Sequence, residues 1–328
     1  MERTLEQSLN DFILYRDTLK SAIRGQSDYI YPVAAALFLS AGKKPDAGKL
    51  KSVRSLVRGS VSVFSNFRGN TELPLIALLA SGDDPEGAWK RTQANYAVLK
   101  ERFMASEYLA LASAMTGAEE DKDFREIAAR AKRIYKRMRK EHPFLTGSED
   151  SVYALLFASD PRSDDEIIDD MEECYRLLDL VFPKGDGMQA ASHVLALAEG
   201  SPHDKADRMI ELFDAIHAAG GKYGRELELA QLAALSVLKG DTAALASRVM
   251  EADAFLKKQK GYGAVFGMTR RTRLMHAALI VSVLGGQDMA GAVAGQTALS
   301  MIAAQQAAIC AMVACSASAS AASAASTH

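Results

Sequence analysis

Hydrophobic and polar positions along this chain alternate in blocks, not residue by residue. Stretches almost free of charge occupy 33–39, 73–80, 108–115, 152–158, 193–198, 229–238 and 275–284. Each is followed by a small or acidic turn, at Gly42, Gly82, Gly117, Asp160, Gly200, Gly240 and Gly285, and then by a longer amphipathic stretch. Successive turns lie 35 to 45 residues apart. A short helix that is apolar on all sides has to be buried between neighbours, and a longer helix covers it with a single apolar face. The pattern therefore predicts an all-α fold of stacked antiparallel helix pairs, α-solenoid-like repeats of about forty residues in which each pair completes the core of the next.

Local signals agree with that reading. An aromatic residue recurs deep in the longer helices, at Tyr96, Tyr135, Tyr175, Phe213 and Phe255, as a large knob in the same place of each unit. Helix starts are marked by Asp83-Asp84-Pro85-Glu86, Ser163-Asp164-Asp165-Glu166 and Ser201-Pro202-His203-Asp204, and helix ends by basic runs such as 136–140. The charged residues stop at Asp288. Three segments follow from this: a helical-repeat domain over 1–286, an Ala-rich helix over 287–316 and a disordered Ala/Ser tail over 317–328. In the second, Ala298, Ile302, Gln305, Ile309, Met312 and Ser316 form a stripe spaced for packing against another helix. It is expected to cap the stack. Two further readings stay open, a tail that docks on a partner and one that is processed or modified at Cys310 and Cys315.

Composition narrows the function classes. Lys+Arg 39 against Asp+Glu 41 leaves a net charge of −2, which offers no overall attraction to nucleic acid or an anionic membrane. Ala and Ser supply too little transfer energy for the tail to span a membrane. The N-terminus has no apolar leader and the three cysteines are too few for a disulfide framework, so a reducing cytoplasm is expected.

Chemistry-bearing motifs are sparse. Asp164, Asp165 and Asp169, within the acidic run 164–170, have the helical spacing by which isoprenoid enzymes hold a diphosphate through Mg²⁺. The same run occupies the phase of an ordinary acidic helix start, as do Asp83-Asp84 and Glu119-Glu120-Asp121, and no second acidic motif completes a metal site. Gly42-Lys43-Lys44-Pro45-Asp46-Ala47-Gly48-Lys49 has the wrong spacing for a phosphate loop and lacks its Ser/Thr. The loop over 261–267 follows a helix end where a dinucleotide fingerprint needs a strand. No histidine pair has zinc spacing, and His193 and His276 lie in apolar stretches as core residues. Lys132, Arg133, Lys136, Arg137 and Lys140 share one helix face, either solvated or lining an anion-binding groove. The stretch over 58–70 breaks the helical pattern. It reads as a loop pinned by Phe64 and Phe67, and Phe64, Phe67, Arg68 and Asn70 are the candidate recognition residues.

Phe67-Arg68-Gly69-Asn70 ahead of Leu75-Ile76-Ala77-Leu78-Leu79-Ala80-Ser81, the apolar-helix units and the loop Lys260-Gly261-Tyr262-Gly263 together resemble a helical family catalogued as domain of unknown function 4003. The resemblance covers 5–284 and implies a bacterial protein, mainly of Gram-positive species. It implies no activity. The residues point away from catalysis and from any cofactor, and towards a scaffold that binds a protein or peptide, with the oligomeric state open. The alternatives are a Mg²⁺-dependent enzyme acting on a diphosphate through the 164–170 cluster, and a functional tail.

Overall fold

A computed structural model describes residues 4–116, 123–263, 267–290, 304 and 307–316. The fold is all-α, with no strand among the described residues. Among the described residues, seven helices built around an apolar stretch alternate with six amphipathic ones after an N-terminal helix α1 (Leu5–Ala22); six of the seven are short, and the last runs to 21 residues. The apolar series is α2 (Ile30–Ser40), α4 (Glu72–Ser81), α6 (Glu107–Met115), α8 (Asp150–Ala158), α10 (Asp186–Leu197), α12 (Leu229–Ser236) and α14 (Arg270–Ala290). The longer series is α3 (Ala47–Ser60), α5 (Pro85–Lys100), α7 (Phe124–Glu141), α9 (Asp164–Leu178), α11 (Pro202–Ala218) and α13 (Thr242–Leu256).

The chain divides into two compact units, Leu14–Asp164 with Val313–His328, and Met1–Ile13 with Asp165–Met312. In the first unit α2 packs on α4, α4 on α6 and α6 on α8, while α3 packs on α5 and α5 on α7. Long helices also pack on their short neighbours, α3 and α5 on α4, α5 on α6 and α7 on α8. In the second unit α10, α12 and α14 pack in succession, with α11 against α13 and α13 against α14. Side-chain character explains this division of labour. Every residue from Ile30 to Leu39 is buried, so α2 can exist only as an interior element. Helix α7 buries only Ala128, Ala131, Ile134 and Met138, one stripe at helical spacing.

The long helices start with side-chain caps. Asp46 accepts from the Lys49 amide at 2.6 Å, Asp84 from Gly87 at 2.9 Å, Asp123 from Arg125 at 2.9 Å, Ser201 from Asp204 at 3.1 Å and Asp241 from Ala244 at 2.8 Å. Turns predicted at Gly42, Gly82, Asp160, Gly200 and Gly240 follow the ends of short helices, and Gly42, Gly200 and Gly240 take positive φ. Gly117 and Glu119-Glu120-Asp121 lie outside the described residues. The predicted turn at Gly285 is absent, because α14 runs through it to Ala290. A Cβ there would sit 2.5 Å from Leu238 Cδ1, so this glycine serves close packing.

The C-terminal carbonyls of the short helices are met by cations reaching across from long helices. Lys49 Nζ donates to Gly82 O at 2.6 Å, and Arg130 donates to the carbonyls of Ala158, Asp160 and Arg162. Arg208 donates to Ser236 O, Leu238 O and Gly240 O at 2.7, 2.6 and 2.6 Å. These bonds satisfy acceptors that a helix end leaves orphaned. Arg208→Ala is expected to lower stability by about 1–3 kcal/mol, read as the shift in urea midpoint with an unchanged slope.

Residues 307–316 are helical, and Ile309, Met312 and Ser316 of the predicted stripe are buried. Within the first unit the Ser316 hydroxyl donates to Tyr29 O at 3.1 Å, beside the start of α2. Ala298, Ile302, Gln305 and the tail over 317–328 lie outside the described residues.

Candidate functional site

Helix α3 ends at Ser60, and the segment leading to α4 folds around a single 3₁₀ turn, Asn66–Arg68. Its two phenylalanines part company. Phe67 is 4% exposed, with its ring edge-on to Trp89 at 4.9 Å and to Tyr96 at 4.7 Å. Phe64 is 94% exposed, so it does not pin the loop as the sequence suggested. Asn70 is held by Glu107, which accepts from its amide at 2.5 Å and from its side chain at 3.2 Å. Arg68 is half-buried and donates to Arg58 O at 3.4 Å. Phe67 and Asn70 thus build the platform, and Phe64 stands on it.

The same construction recurs. Phe103, in the loop before α6, lies edge-on to Tyr135 of α7 at 5.5 Å. In the second unit Phe182, before α10, lies edge-on to Phe213 of α11 at 5.1 Å. A cation covers each pair: Lys100 over Tyr96 at 5.0 Å, Lys132 over Phe103 at 4.6 Å and Arg225 over Phe182 at 5.6 Å. Tyr223 and Tyr262, in the corresponding loops before α12 and α14, are also buried. Tyr262 meets His276 with OH to Nδ1 at 2.7 Å, which accounts for that histidine as a core residue. The knobs on the long helices and, of the loop aromatics, Phe67 were legible in the sequence, whereas Phe103, Phe182 and Tyr223 were not singled out. The signal was present in Phe67, Phe103, Phe182, Tyr223 and Tyr262, each standing between a long amphipathic block and the next apolar one.

Beside the buried anchors stand exposed apolar side chains. Among the described residues the exposed large apolar side chains are Leu14, Val63, Phe64, Met104, Phe144, Leu180 and Leu227. All except Leu14 of α1 lie in loops that lead from a long helix into the next short one. The opposite loops, from short helix to long, carry capping Asp and Ser residues instead. The two kinds of turn therefore have different chemistry, and among the described residues the large apolar side chains exposed in loops lie on one kind.

Other sequence candidates fall elsewhere. Asp164 faces two guanidinium groups, accepting from Arg130 at 2.9 Å and Arg133 at 3.1 Å. Burial alone raises its pKa, but those bonds outweigh it and hold the carboxyl below the usual range. Asp165 and Asp169 are exposed, and Asp170 is instead paired with buried Lys205 at 2.7 Å. Among the described residues no group of three or more His, Cys, Asp or Glu is placed to hold a metal ion. His193 is buried, as expected of a core residue. At the start of α14, Arg273 is buried against Asp253 at 2.7 Å and Arg270 donates to Gly220 O at 2.7 Å.

Cys310 and Cys315 are both buried, as is Cys174. Burial pushes the Cys310 thiol up to about 12, which suppresses its reactive thiolate. A native-state thiol titration is expected to find all three cysteines silent, and denaturant to release them. Rapid native labelling at Cys310 or Cys315 contradicts this placement.

No helix among the described residues is long and apolar enough to cross a membrane. A family model described as "Protein of unknown function (DUF4003)" matches residues 15–308. No curated protein and no solved structure matches the chain.

Proposed function

We propose that this chain, which belongs to that family of unknown function, is a non-catalytic scaffold whose loops between long and short helices bind a protein or peptide. One observation carries the reading: exposed large apolar side chains concentrate on those loops, each beside an anchored aromatic or a basic helix end. Exposed apolar surface costs solubility and marks binding sites when it is patterned. A rigid platform also lowers the entropy lost on binding, because the loop tips are already held in place.

The helix pairs are read as repeated units that present this edge, and three buried cysteines outside any disulfide fit a reducing bacterial cytoplasm. The test is affinity capture from the native cell extract, comparing the unaltered chain with a Phe64→Ser, Met104→Ser, Phe144→Ser variant. The expected result is a defined partner retained by the first and lost by the second at equal folded content. A partner retained equally by both overturns the reading, as does a turnover activity that the variant keeps.

A further inference from the structure

Three loops of the first unit lie in order along one edge. The loop over 61–71 is tied to the start of α6 by Glu107, which holds Asn70, while Thr71 Oγ1 donates to Glu107 O at 3.1 Å. The loop over 101–106 is tied to α7 by Phe103 against Tyr135, and the Tyr135 hydroxyl donates to Gly147 O at 3.0 Å in the loop over 142–149. Each loop raises apolar side chains into solvent: Phe64 with its neighbour Val63 on the first, Met104 at 91% exposure on the second and Phe144 at 98% on the third. Adjacent packed helices stand about 8–10 Å apart, so three tips span about 20 Å. That is the length of roughly six residues of extended chain.

The same edge is cationic. Its cations come from the last turns of two long helices, Lys100 of α5 and Arg139 and Lys140 of α7, whereas Arg58 at the end of α3 is neutralised by buried Glu72. On α7 the cations crowd one another. Burial lowers the Lys132 ammonium below its usual range, and Lys136 and Arg139 push it the same way. Arg130 and Arg133 are taken by Asp164, and Lys140 lies 3.8 Å from Glu141. Lys136 and Arg139, both exposed, form no ion pair with a carboxylate of the described residues. Lys132 links the two features, because its ammonium lies over the ring of Phe103, the neighbour of Met104.

We infer that the edge formed by Phe64, Met104 and Phe144, with Lys132, Lys136 and Arg139 of α7, docks an acidic peptide segment of another protein, bound extended with apolar side chains over the loop tips. The inference rests on the peptide-binding reading above and adds the chemistry of the ligand. A carboxylate-bearing strand supplies counter-charges to Lys136 and Arg139, and its alternate side chains reach the tips at their spacing. A membrane surface fits less well, since it responds to the field of the whole molecule, and the chain as a whole carries −2.

The test is selection of a displayed random-peptide library on the full chain, with counter-selection on the Phe64→Ser, Met104→Ser, Phe144→Ser variant. Enriched peptides are expected to combine Asp and Glu with Phe, Leu or Met. Their affinity should fall about tenfold or more in that variant, the loss typical of buried anchors, and similarly in Lys136→Glu, Arg139→Glu. Replacing the peptide's acidic residues by Lys should restore binding to the charge-reversed variant, which a mere folding defect cannot do. Enrichment of basic or uncharged peptides at this edge overturns the inference while leaving the scaffold reading intact. Enrichment of none overturns the inference too, and together with failed partner capture it removes both. Phosphatidylglycerol vesicles form the last arm: binding that depends on Phe64, Met104 and Phe144 without peptide enrichment assigns the edge to a membrane surface instead.

Discussion

Phe67→Ala is expected to cost about 3–5 kcal/mol of unfolding free energy, the usual range for deleting a buried phenylalanine, whereas Phe64→Ala should stay within about 0.5 kcal/mol of the parent. The two residues are three positions apart and share a side chain, so the contrast isolates their surroundings. Phe67 loses its edge-on contacts with Trp89 and Tyr96 and leaves a cavity beneath the loop. Phe64 has almost no protein contact to lose. Equilibrium urea unfolding of both variants checks this. Equal midpoints would mean that the platform under the loop edge does not exist as described.

The second large effect belongs to the other unit. Asp253 of α13 and Arg273 of α14 are both buried, with Nε to Oδ1 at 2.7 Å and a second bond at 3.2 Å. Asp253→Ala should destabilise by about 3–5 kcal/mol, because it strands a guanidinium in the interior. The pair itself has little net value, since removing two charges from water consumes most of what their attraction returns. Asp253→Leu combined with Arg273→Met is therefore expected to recover most of the loss. Thermal unfolding of the single and double variants gives the comparison, and a double variant no better than Asp253→Ala would show that the pair does more than neutralise itself.

How far the sequence carries depends on the distance over which each feature is decided. Apolar blocks and Asp or Ser caps are local, and they placed the alternating short and long helices without tertiary knowledge. Gly285 read as a turn because glycine ends helices locally. Its actual reason, the approach of Leu238, lies 47 positions away in the sequence and leaves no local trace. Choosing between Phe64 and Phe67 as the buried ring required Trp89 and Tyr96, both beyond the next helix. The acidic run at 164–170 already read as a helix start, but its partners, Arg130 and Arg133 on Asp164 and Lys205 on Asp170, lie 31 to 35 positions away and leave no local trace. The loop edge was legible in part: Phe64 was singled out, but Met104 and Phe144 drew no attention. An exposed methionine or phenylalanine is informative only once its neighbours are known to be buried.

The central claim is that binding takes place on the loops between long and short helices and not on the capped turns opposite. It is tested most directly by placing a photo-activatable side chain at single positions of the full chain in its native cell. Positions 64, 104 and 144 sample the apolar loops, and positions 46 and 83 sample the opposite ones. The predicted result is one shared crosslinked partner at 64, 104 and 144, with none at 46 or 83. A partner captured at 46 and 83 while the three apolar positions stay silent would contradict the account.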